Sequence, residues 1–263
     1  MPAGVLTPAR VNLPQVTLVA VTSVAHEATL RALERCTAQA DFAAVLFIGD
    51  RLPPRAMTPA VTWHQIAPLP SREAYSHFLL TELHNHVKTS HALCIQWDSW
   101  ILEGAQWREE FLEYDYIGAP WPHIQGPQAV GNGGFSLRSH RLLAACAQLG
   151  FFHDEAEDLA ICRAHRPELE SRFGVVFAPE DLARRFAYER YAPSGNEFGF
   201  HGAFNMLPLM SDEDLAETLG SLEPPILNRR EHRELLRRAL LSGRWRVAWK
   251  VLQRLRSGRV RRL

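Results

Sequence analysis

The chain has 263 residues, 46% of them hydrophobic, and its 29 Lys and Arg residues balance its 29 Asp and Glu residues. This length and composition are typical of a soluble globular protein with one large domain, or one domain and an appendage. No apolar stretch approaches the roughly 20 residues of a membrane-spanning helix. The first residues lack the pattern of a signal peptide, so we expect a cytoplasmic protein.

The first part of the chain alternates strand-like and helix-like segments. Short runs rich in apolar and β-branched residues predict four buried strands. They span residues 16–23, 43–50, 61–67 and 91–98. Helices are predicted at about 26–38 and after Ser71, which is a suitable N-cap. Apolar strands that alternate with helices indicate a mainly parallel α/β sheet.

The second part is less regular. A strand end at 115–118 leads into a proline-rich loop, and further short strands are predicted at 133–139 and 174–179. Helices are predicted at 141–149 and from Glu157 onward. Pro224-Pro225 marks the best boundary, which gives a main domain at 1–225 and a basic helical extension at 226–263. We expect this extension to form two helices separated at Ser242-Gly243.

The four cysteines are Cys36, Cys94, Cys146 and Cys162. They are far apart in the sequence and form no C-x-x-C pair, which argues against a zinc site or a disulfide framework. We therefore expect buried, reduced thiols.

Asp98 ends the apolar run 94–98. An ionised carboxylate at the end of a buried strand needs water, a cation or a partner charge. The carboxyl edge of an open α/β sheet is also where ligands bind. Asp98 is therefore a candidate ligand for a divalent cation, since Mg²⁺ and Mn²⁺ prefer oxygen ligands. The alternative is a helix N-cap at Asp98.

Two further segments carry polar or glycine residues that a simple core does not explain. The run 131–134, Gly-Asn-Gly-Gly, allows a ligand to approach the main chain, although Asn-Gly is also a strong hairpin signal. Glu157 and Asp158 precede an apolar helix, where the helix dipole favours acidic residues. Alternatively, one of them serves as a general base for an acceptor hydroxyl.

His201 lies between glycines in the segment 198–202, Phe-Gly-Phe-His-Gly. An imidazole in a segment with few other polar side chains is a candidate metal ligand, and a structural histidine bonded to backbone is the alternative. Sugar transfer from a nucleotide diphosphate needs a cation for the departing diphosphate, a base, and close backbone approach. The four segments together therefore suggest a metal-assisted nucleotide-sugar site.

In this order, the segments resemble the four motif positions of GT-A-fold glycosyltransferases: a metal motif, a glycine-rich loop, a base motif and a C-terminal metal-binding histidine. Five blocks more closely resemble an uncharacterised family of glycosyltransferase-like domains of unknown function, over roughly residues 15–205. The blocks lie at 96–102, 111–121, 130–139, 157–162 and 198–202.

The resemblance implies a GT-A-like, Rossmann-like mixed sheet, mainly parallel and flanked by helices. It implies that Asp98 and His201 bind Mn²⁺ or Mg²⁺, and that Asp158, beside Glu157, is the base of an inverting transfer to a glycan or glycoconjugate. UDP is the nucleotide that it favours in the donor. The implied nucleotide-sugar contacts are Thr22, Ser23, Arg72, Tyr75, Ser76, Gln96, Trp97, Asp98, Asn132, Gly133 and Gly134. Gln96 stands where the metal motif has its first acid, and glutamine brings no charge.

Residues 229–263 contain thirteen Arg and Lys residues against two Glu residues, a local charge of about +11. This segment is either a solvated cationic face or a surface attracted to anionic lipid headgroups at the inner face of a membrane. It lacks the interleaved aromatic residues of a nucleic-acid-binding surface, which disfavours nucleic acid as a partner. The alternative to an enzyme is a non-catalytic nucleotide-sugar-binding or membrane-associated scaffold, which Gln96 favours.

Overall fold

The structure, a computed structural model, describes residues 10–150, 155–223 and 226–256. The strands are β1 (Val11–Thr22), β2 (Ala40–Gly49), β3 (Val61–Gln65), β4 (His91–Ile95), β5 (Ser99–Ile101), β6 (Tyr116–Gly118), β7 (Phe135–Ser139), β8 (Ala187–Tyr188) and β9 (Gly199–His201). The helices are α1 (His26–Gln39), α2 (Arg72–Thr81), α3 (Leu83–His86), α4 (His140–Leu149), α5 (Glu157–Leu159), α6 (Arg166–Phe173), α7 (Glu180–Phe186), α8 (Asp212–Ser221), α9 (Arg229–Leu241) and α10 (Trp245–Arg256).

The central sheet has six strands in the order β3-β2-β1-β4-β7-β6. The first four are parallel, whereas β7 runs antiparallel to both β4 and β6. This arrangement confirms the predicted fold class, a mainly parallel mixed sheet flanked by helices. A second sheet has the order β5-β9-β8. Because β7 is antiparallel, its first residues lie at the same edge as the last residues of β4.

Both faces of the central sheet are covered, which explains why its strands are apolar throughout. Successive side chains of a strand point to opposite faces. In β1, Leu18 and Ala20 belong to the buried cluster that includes α1. Val19 and Val21 belong to the other cluster, with Phe78 of α2. A continuous apolar run is therefore required here rather than an alternating one.

Most of the predicted elements are present, and some local predictions are confirmed in atomic detail. The Ser71 hydroxyl accepts a hydrogen bond from the Ala74 amide at 3.2 Å and caps α2. The four cysteines are buried and free. None of the helices in the described ranges is long and apolar enough to cross a membrane.

The strand predicted at 174–179 is wrong, because only an isolated bridge between Tyr116 and Phe177 forms there. The backbone amides of this segment have other acceptors. The Val175 amide donates to the Leu169 carbonyl at 3.2 Å, and the Val176 amide donates to the side chain of Asp115 at 2.8 Å. A helix N-cap at Asp98 is also wrong, since β5 begins at the next residue.

The C-terminal extension forms two helices, α9 and α10, with the break at Ser242 and Gly243 as predicted. Val247 and Val251 of α10 are buried. The Arg254 guanidinium donates to the carbonyls of Leu219 at 2.6 Å and Leu222 at 3.0 Å, which attaches α10 to the end of α8. The predicted boundary at Pro224-Pro225 lies outside the described residues, so the division at residue 225 stays a prediction.

Asp115 joins β6, β7 and the segment after α6. Its carboxylate accepts hydrogen bonds from the Ser139 hydroxyl, from Nε of Arg141 at 3.0 Å and from the Val176 amide. Burial alone would raise the pKa of Asp115, but the hydrogen bonds from Arg141, Ser139 and Val176 hold it below its ordinary value. The ionised form is therefore stabilised in the folded state.

We predict that Asp115→Asn lowers the free energy of unfolding by about 2 kcal/mol at pH 7, because hydrogen bonds to a charged acceptor are lost. A depressed folded-state pKa gives stability that is present above the unfolded pKa and lost as the pH falls through the folded value. Urea unfolding between pH 7 and pH 3 should therefore show a steeper acid loss in the wild type than in the variant. Asp41→Asn, in an exposed pair with Arg10, is the control; equal effects would contradict the prediction.

Candidate active site

Asp98 is held between the two sheets by backbone contacts. The amide of Gln96 donates to the Gly134 carbonyl at 3.1 Å, and the Ser99 hydroxyl donates to the same carbonyl at 2.7 Å. The carbonyl of Asp98 accepts from the Gly202 amide at 3.1 Å. Asp98 is only 6% exposed. The short turn after β4 therefore fixes this carboxylate at the carboxyl edge of the parallel strands.

His201 approaches Asp98 from the second sheet. It pairs with Ser99 across β5 and β9, which brings its Nε2 to 3.5 Å from Oδ1 of Asp98. The imidazole lies directly against the backbone of Gly134. A Cβ atom at position 134 would lie 2.2 Å from Nε2 of His201. The absence of a side chain at Gly134 is thus a condition for this approach.

The charges around His201 favour its protonated form. Burial alone would lower the pKa of His201, but the nearby charge of Asp98, with smaller effects of Glu189 and Glu231, raises it to about 9. Burial chiefly raises the pKa of Glu231, and Asp98 adds to the effect. Glu231 belongs to α9, so the C-terminal extension contributes to the electrostatics of this site.

Asp98 and His201 fit the ligand set of a cation that also takes ligands from a substrate. Oδ1 of Asp98 and Nδ1 of His201 are buried and have no hydrogen-bond partner in the described part of the chain. The other ring nitrogen of His201, Nε2, lies 3.5 Å from Oδ1 of Asp98, which is within the span of two ligands on one ion, roughly 3–3.5 Å. The described residues contain no group of three His, Cys, Asp or Glu side chains that could hold a metal ion. Further ligands would have to be substrate or water oxygens.

The glycine-rich segment is not a two-residue hairpin turn, because β6 and β7 are connected by the whole of residues 119–134. Asn132 adopts a left-handed conformation with φ of 60°. Its side-chain amide donates to Oε2 of Glu189 at 2.8 Å, and both residues are buried. This contact fixes the loop that carries Gly133 and Gly134 beside Asp98.

Glu157 contacts the same loop at Gly133. Its Oε1 lies 3.1 Å from Nη2 of Arg138, which is 0% exposed. A Cβ atom at Gly133 would lie 2.1 Å from that Glu157 oxygen. Burial raises the pKa of Glu157, and the neighbouring Asp158 raises it further, whereas Arg138 opposes the change. The ion pair with Arg138 therefore gives Glu157 a positioning role beside the loop.

Asp158 is half-buried and differs from Glu157 in its partners. Its Oδ2 accepts from the Gly133 amide at 3.1 Å, and its Oδ1 accepts from the Leu159 amide at 2.9 Å. Within the described ranges it forms no ion pair with an arginine or lysine. Both acids lie in the first turn of α5, where the helix dipole also favours them.

Some of the predicted nucleotide-sugar contacts lie beside this cluster. The side-chain amide of Gln96 donates to the Tyr75 hydroxyl at 3.2 Å. Burial raises the pKa of Tyr75, and Glu157 is among the smaller causes, which places the phenol near the acidic pair. Ser76 is buried, and its hydroxyl has no partner among the described residues. Trp97 is 9% exposed and packs in the core.

Three other predicted contacts are engaged elsewhere or exposed. The Thr22 hydroxyl interacts with the backbone of Val24, and the Ser23 hydroxyl accepts from the Leu69 amide at 2.8 Å. Arg72 is exposed at the start of α2. No hydrogen bond or ion pair within the described residues links these three to Asp98 or His201.

Several polar residues of the site were not singled out from the sequence. The side-chain amide of Asn205 donates to the carbonyls of His201 at 2.7 Å and Glu189 at 2.8 Å. Arg138 could have been noticed as a charge within a segment predicted to be a strand. Glu189, Asn205 and Glu231 carry no such signal, because their role depends on which elements pack together.

Fold and site define a mixed α/β protein with a polar cluster at the carboxyl edge of its parallel strands. Residues 60–201 match the family model described as "Protein of unknown function (DUF5672)". This match covers more than half of the chain, which therefore belongs to that family. No curated protein matches the chain.

Two solved structures of similar fold are glycosyltransferase structures. An active-site mutant of LgtC is 11% identical, with 85% of this chain and 99% of that chain covered and a TM-score of 0.46. Galactosyltransferase LgtC in complex with donor and acceptor sugar analogues is 10% identical, with coverage of 85% and 100% and a TM-score of 0.45.

We predict that Arg138→Met lowers the free energy of unfolding by about 3–5 kcal/mol, because it leaves the buried Glu157 carboxylate without a partner charge. Arg138→Met/Glu157→Gln should recover a large part of this loss in urea unfolding. Arg184→Met, in an exposed pair with Glu180, should cost less than about 1 kcal/mol. If the double variant is as unstable as the single variant, the uncompensated charge is not the cause.

Proposed function

We propose that this protein is a glycosyltransferase that moves a sugar from a nucleotide-diphosphate sugar to a hydroxyl of a glycan or glycoconjugate. The proposal depends on one observation: Asp98 and His201 meet, 3.5 Å apart, against the backbone of Gly134 at the carboxyl edge of the parallel strands. This is the edge at which open α/β sheets bind ligands. The order of the motifs in the sequence supports the same activity.

In the proposed reaction, the acceptor hydroxyl oxygen attacks the anomeric carbon of the donor sugar. The bond between that carbon and the diphosphate oxygen breaks, and its electron pair stays on the nucleotide diphosphate. The acceptor proton passes to the carboxylate of Asp158, in an inverting displacement. The hydrogen bond between Asp158 and the Gly133 amide, 3.1 Å long, supports this role because it holds the base beside the glycine loop.

Asp98 and His201 would hold Mn²⁺ or Mg²⁺, and a bound cation supplies charge stabilisation for the departing diphosphate. A metal ligand must be deprotonated, so His201 would lose its proton on binding the cation. The chain's own residues position the donor: Gly133 and Gly134 offer backbone to the sugar, and Tyr75 with Gln96 offers hydrogen bonds. UDP is the nucleotide favoured by the motif resemblance.

Nucleotide binding can be tested by thermal unfolding with UDP and other nucleoside diphosphates, with and without MnCl₂. A ligand at about 100 times its Kd should add roughly 2.7 kcal/mol of stability. We expect stabilisation that needs nucleotide and metal together, and that Asp98→Asn removes. Asp181→Asn, an exposed acid in the first turn of α7, should keep it.

Turnover can be followed as release of nucleoside diphosphate from donor sugars. We expect Asp158→Asn to retain nucleotide binding and to lower the rate by roughly 10²–10⁴. Full turnover in both the Asp98 and the Asp158 variants would refute the assignment. A wild-type protein that binds nucleotide without turning over any donor would instead be the non-catalytic scaffold.

We also propose that the turn between α9 and α10 contacts an anionic membrane surface at the cytoplasmic face. Leu241, Trp245 and Trp249 are 75%, 68% and 56% exposed. The two indoles are four residues apart and share one face of α10, beside Arg246 and Lys250. Exposed aromatic and basic residues on one helix are typical of a protein that lies at a lipid headgroup region.

Trp245→Ala/Trp249→Ala should weaken sedimentation with vesicles of anionic phospholipid by more than tenfold. Burying an aromatic side chain contributes roughly 1.5 kcal/mol or more. Leu52→Ala, which removes an exposed side chain elsewhere, should have no effect. Unchanged binding of the double variant, or equal binding to uncharged vesicles, would exclude this surface.

A further inference from the structure

An open cleft of about 890 Å³ lies along α9 and the loop that follows β8. Its lining is almost entirely cationic. The lining residues are Arg190, Arg229, Arg230, Arg233, Glu234, Arg237 and Arg238. Six arginines against one glutamate give the cleft a formal charge of +5. Asp98 and His201 are not among the lining residues, so the cleft is distinct from the candidate cation position.

Half of these arginines already have partners. Glu234 lies 3.0 Å from Arg237 and 2.6 Å from Arg238. The hydrogen bond from Arg237, with that from Arg238, lowers the pKa of Glu234 to about 2 although burial opposes the change. Arg190 lies 3.2 Å from Glu189. The single acid of the cleft is therefore fully ionised and already shared between two arginines.

The other three arginines are available to a ligand. Arg229, Arg230 and Arg233 have no hydrogen bond or ion pair within the described residues. All three lie in the first turns of α9, where the helix dipole is positive and disfavours cations. Three unpaired guanidiniums at this end of a helix oppose folding electrostatically. A bound polyanion would offset that cost.

The cleft is connected to the candidate active site by direct contacts. Nη1 of Arg238 donates to the side-chain oxygen of Asn205 at 3.0 Å, and Asn205 donates to the carbonyl of His201 at 2.7 Å. Arg190 and Arg238 also contact the ring of Phe204, at 4.9 Å and 4.5 Å from its centroid. A ligand in the cleft would therefore be adjacent to the site of sugar transfer.

We propose that this cleft binds the phosphate groups of the acceptor, so that the acceptor is a phosphate-bearing glycan or glycolipid. This inference rests on the proposed glycosyltransferase function. The guanidinium fork matches the geometry of phosphate oxygens and binds them in a bidentate manner. The donor diphosphate belongs at Asp98 and His201, which leaves the cleft beside them for the acceptor.

The probe for this site is tripolyphosphate, titrated into the full chain by calorimetry at low ionic strength. We expect saturable binding with one site, weakened by added KCl because the contacts are electrostatic. Arg230→Glu/Arg233→Glu should raise the Kd on the order of 100-fold, since each lost charge-assisted contact costs roughly tenfold. The glutamate at position 230 is compatible with α9, because an acidic residue is favoured in the first turn of a helix. A second, milder variant is Arg230→Gln/Arg233→Gln.

The matched control is Arg108→Glu/Arg163→Glu, which changes the net charge equally at two exposed arginines outside the cleft. It should bind tripolyphosphate like the wild type. Absent binding in the wild type, or equal weakening in the control, would overturn the proposal. Binding to anionic phospholipid vesicles that depends on Arg230 and Arg233, without tripolyphosphate binding, would overturn it in favour of a membrane contact.

The donor site is tested separately in the same variants. We expect Arg230→Glu/Arg233→Glu to keep stabilisation by UDP with MnCl₂ while it loses tripolyphosphate binding. Equal loss of both would assign the cleft to the donor diphosphate and overturn the acceptor assignment. Failure of the proposed transferase function would be recognised differently: tripolyphosphate would still bind the cleft, but no nucleoside diphosphate would stabilise the protein.

Discussion

The candidate site depends on Gly134 in two ways: its carbonyl accepts two hydrogen bonds, and its lack of a side chain leaves room for His201. The carbonyl accepts from the Gln96 amide and the Ser99 hydroxyl, at 3.1 Å and 2.7 Å, and so fixes the turn that carries Asp98. The His201 ring fits against this residue because glycine has no side chain. A Cβ atom at position 134 would clash with Nε2 of His201, at 2.2 Å. One residue thus controls the position of both candidate cation ligands. Because β7 is antiparallel to β4, Gly134 lies where β4 ends.

The pairing of Arg138 with Glu157 beside the glycine-rich loop is explained by the cost of burying a charge. Arg138 is inaccessible to solvent, and it would be strongly destabilising without Glu157. The pair also contacts the loop itself, since Nη2 of Arg138 donates to the Gly133 carbonyl at 3.4 Å. Asp158, one residue further along, is half-buried and forms no ion pair with an arginine or lysine of the described residues. The two adjacent acids therefore have different environments: Glu157 is buried in an ion pair, whereas Asp158 is half-buried and bonded to backbone amides.

The C-terminal extension belongs to the same electrostatic unit as the α/β domain. Glu231 of α9 interacts with Asp98 and His201, and Arg238 of α9 is connected to His201 through Asn205. The basic residues of this extension are therefore not a uniform cationic tail. Those at the start of α9 form a cleft beside the candidate site, whereas those on α10 accompany two exposed tryptophans.

The sequence by itself determined the fold class and the order of the main elements. Apolar runs such as 43–50 must be buried, and the Ser71 cap and the Ser242-Gly243 break act locally. It also singled out Asp98 and His201, because polar residues in apolar segments need a partner. Residues 174–179 are an exception: this apolar run forms no strand, because the amides of Val175 and Val176 donate to Leu169 and Asp115.

Tertiary structure alone decided which distant residues meet. Glu189, Asn205 and Glu231 are ordinary polar residues in the sequence, and they belong to the site only because β8, β9 and α9 pack around His201. The same applies to Glu157, whose partner Arg138 lies across the loop and could not be assigned from spacing. Local patterns report which surface of an element is buried, whereas contacts between elements depend on how the whole chain packs.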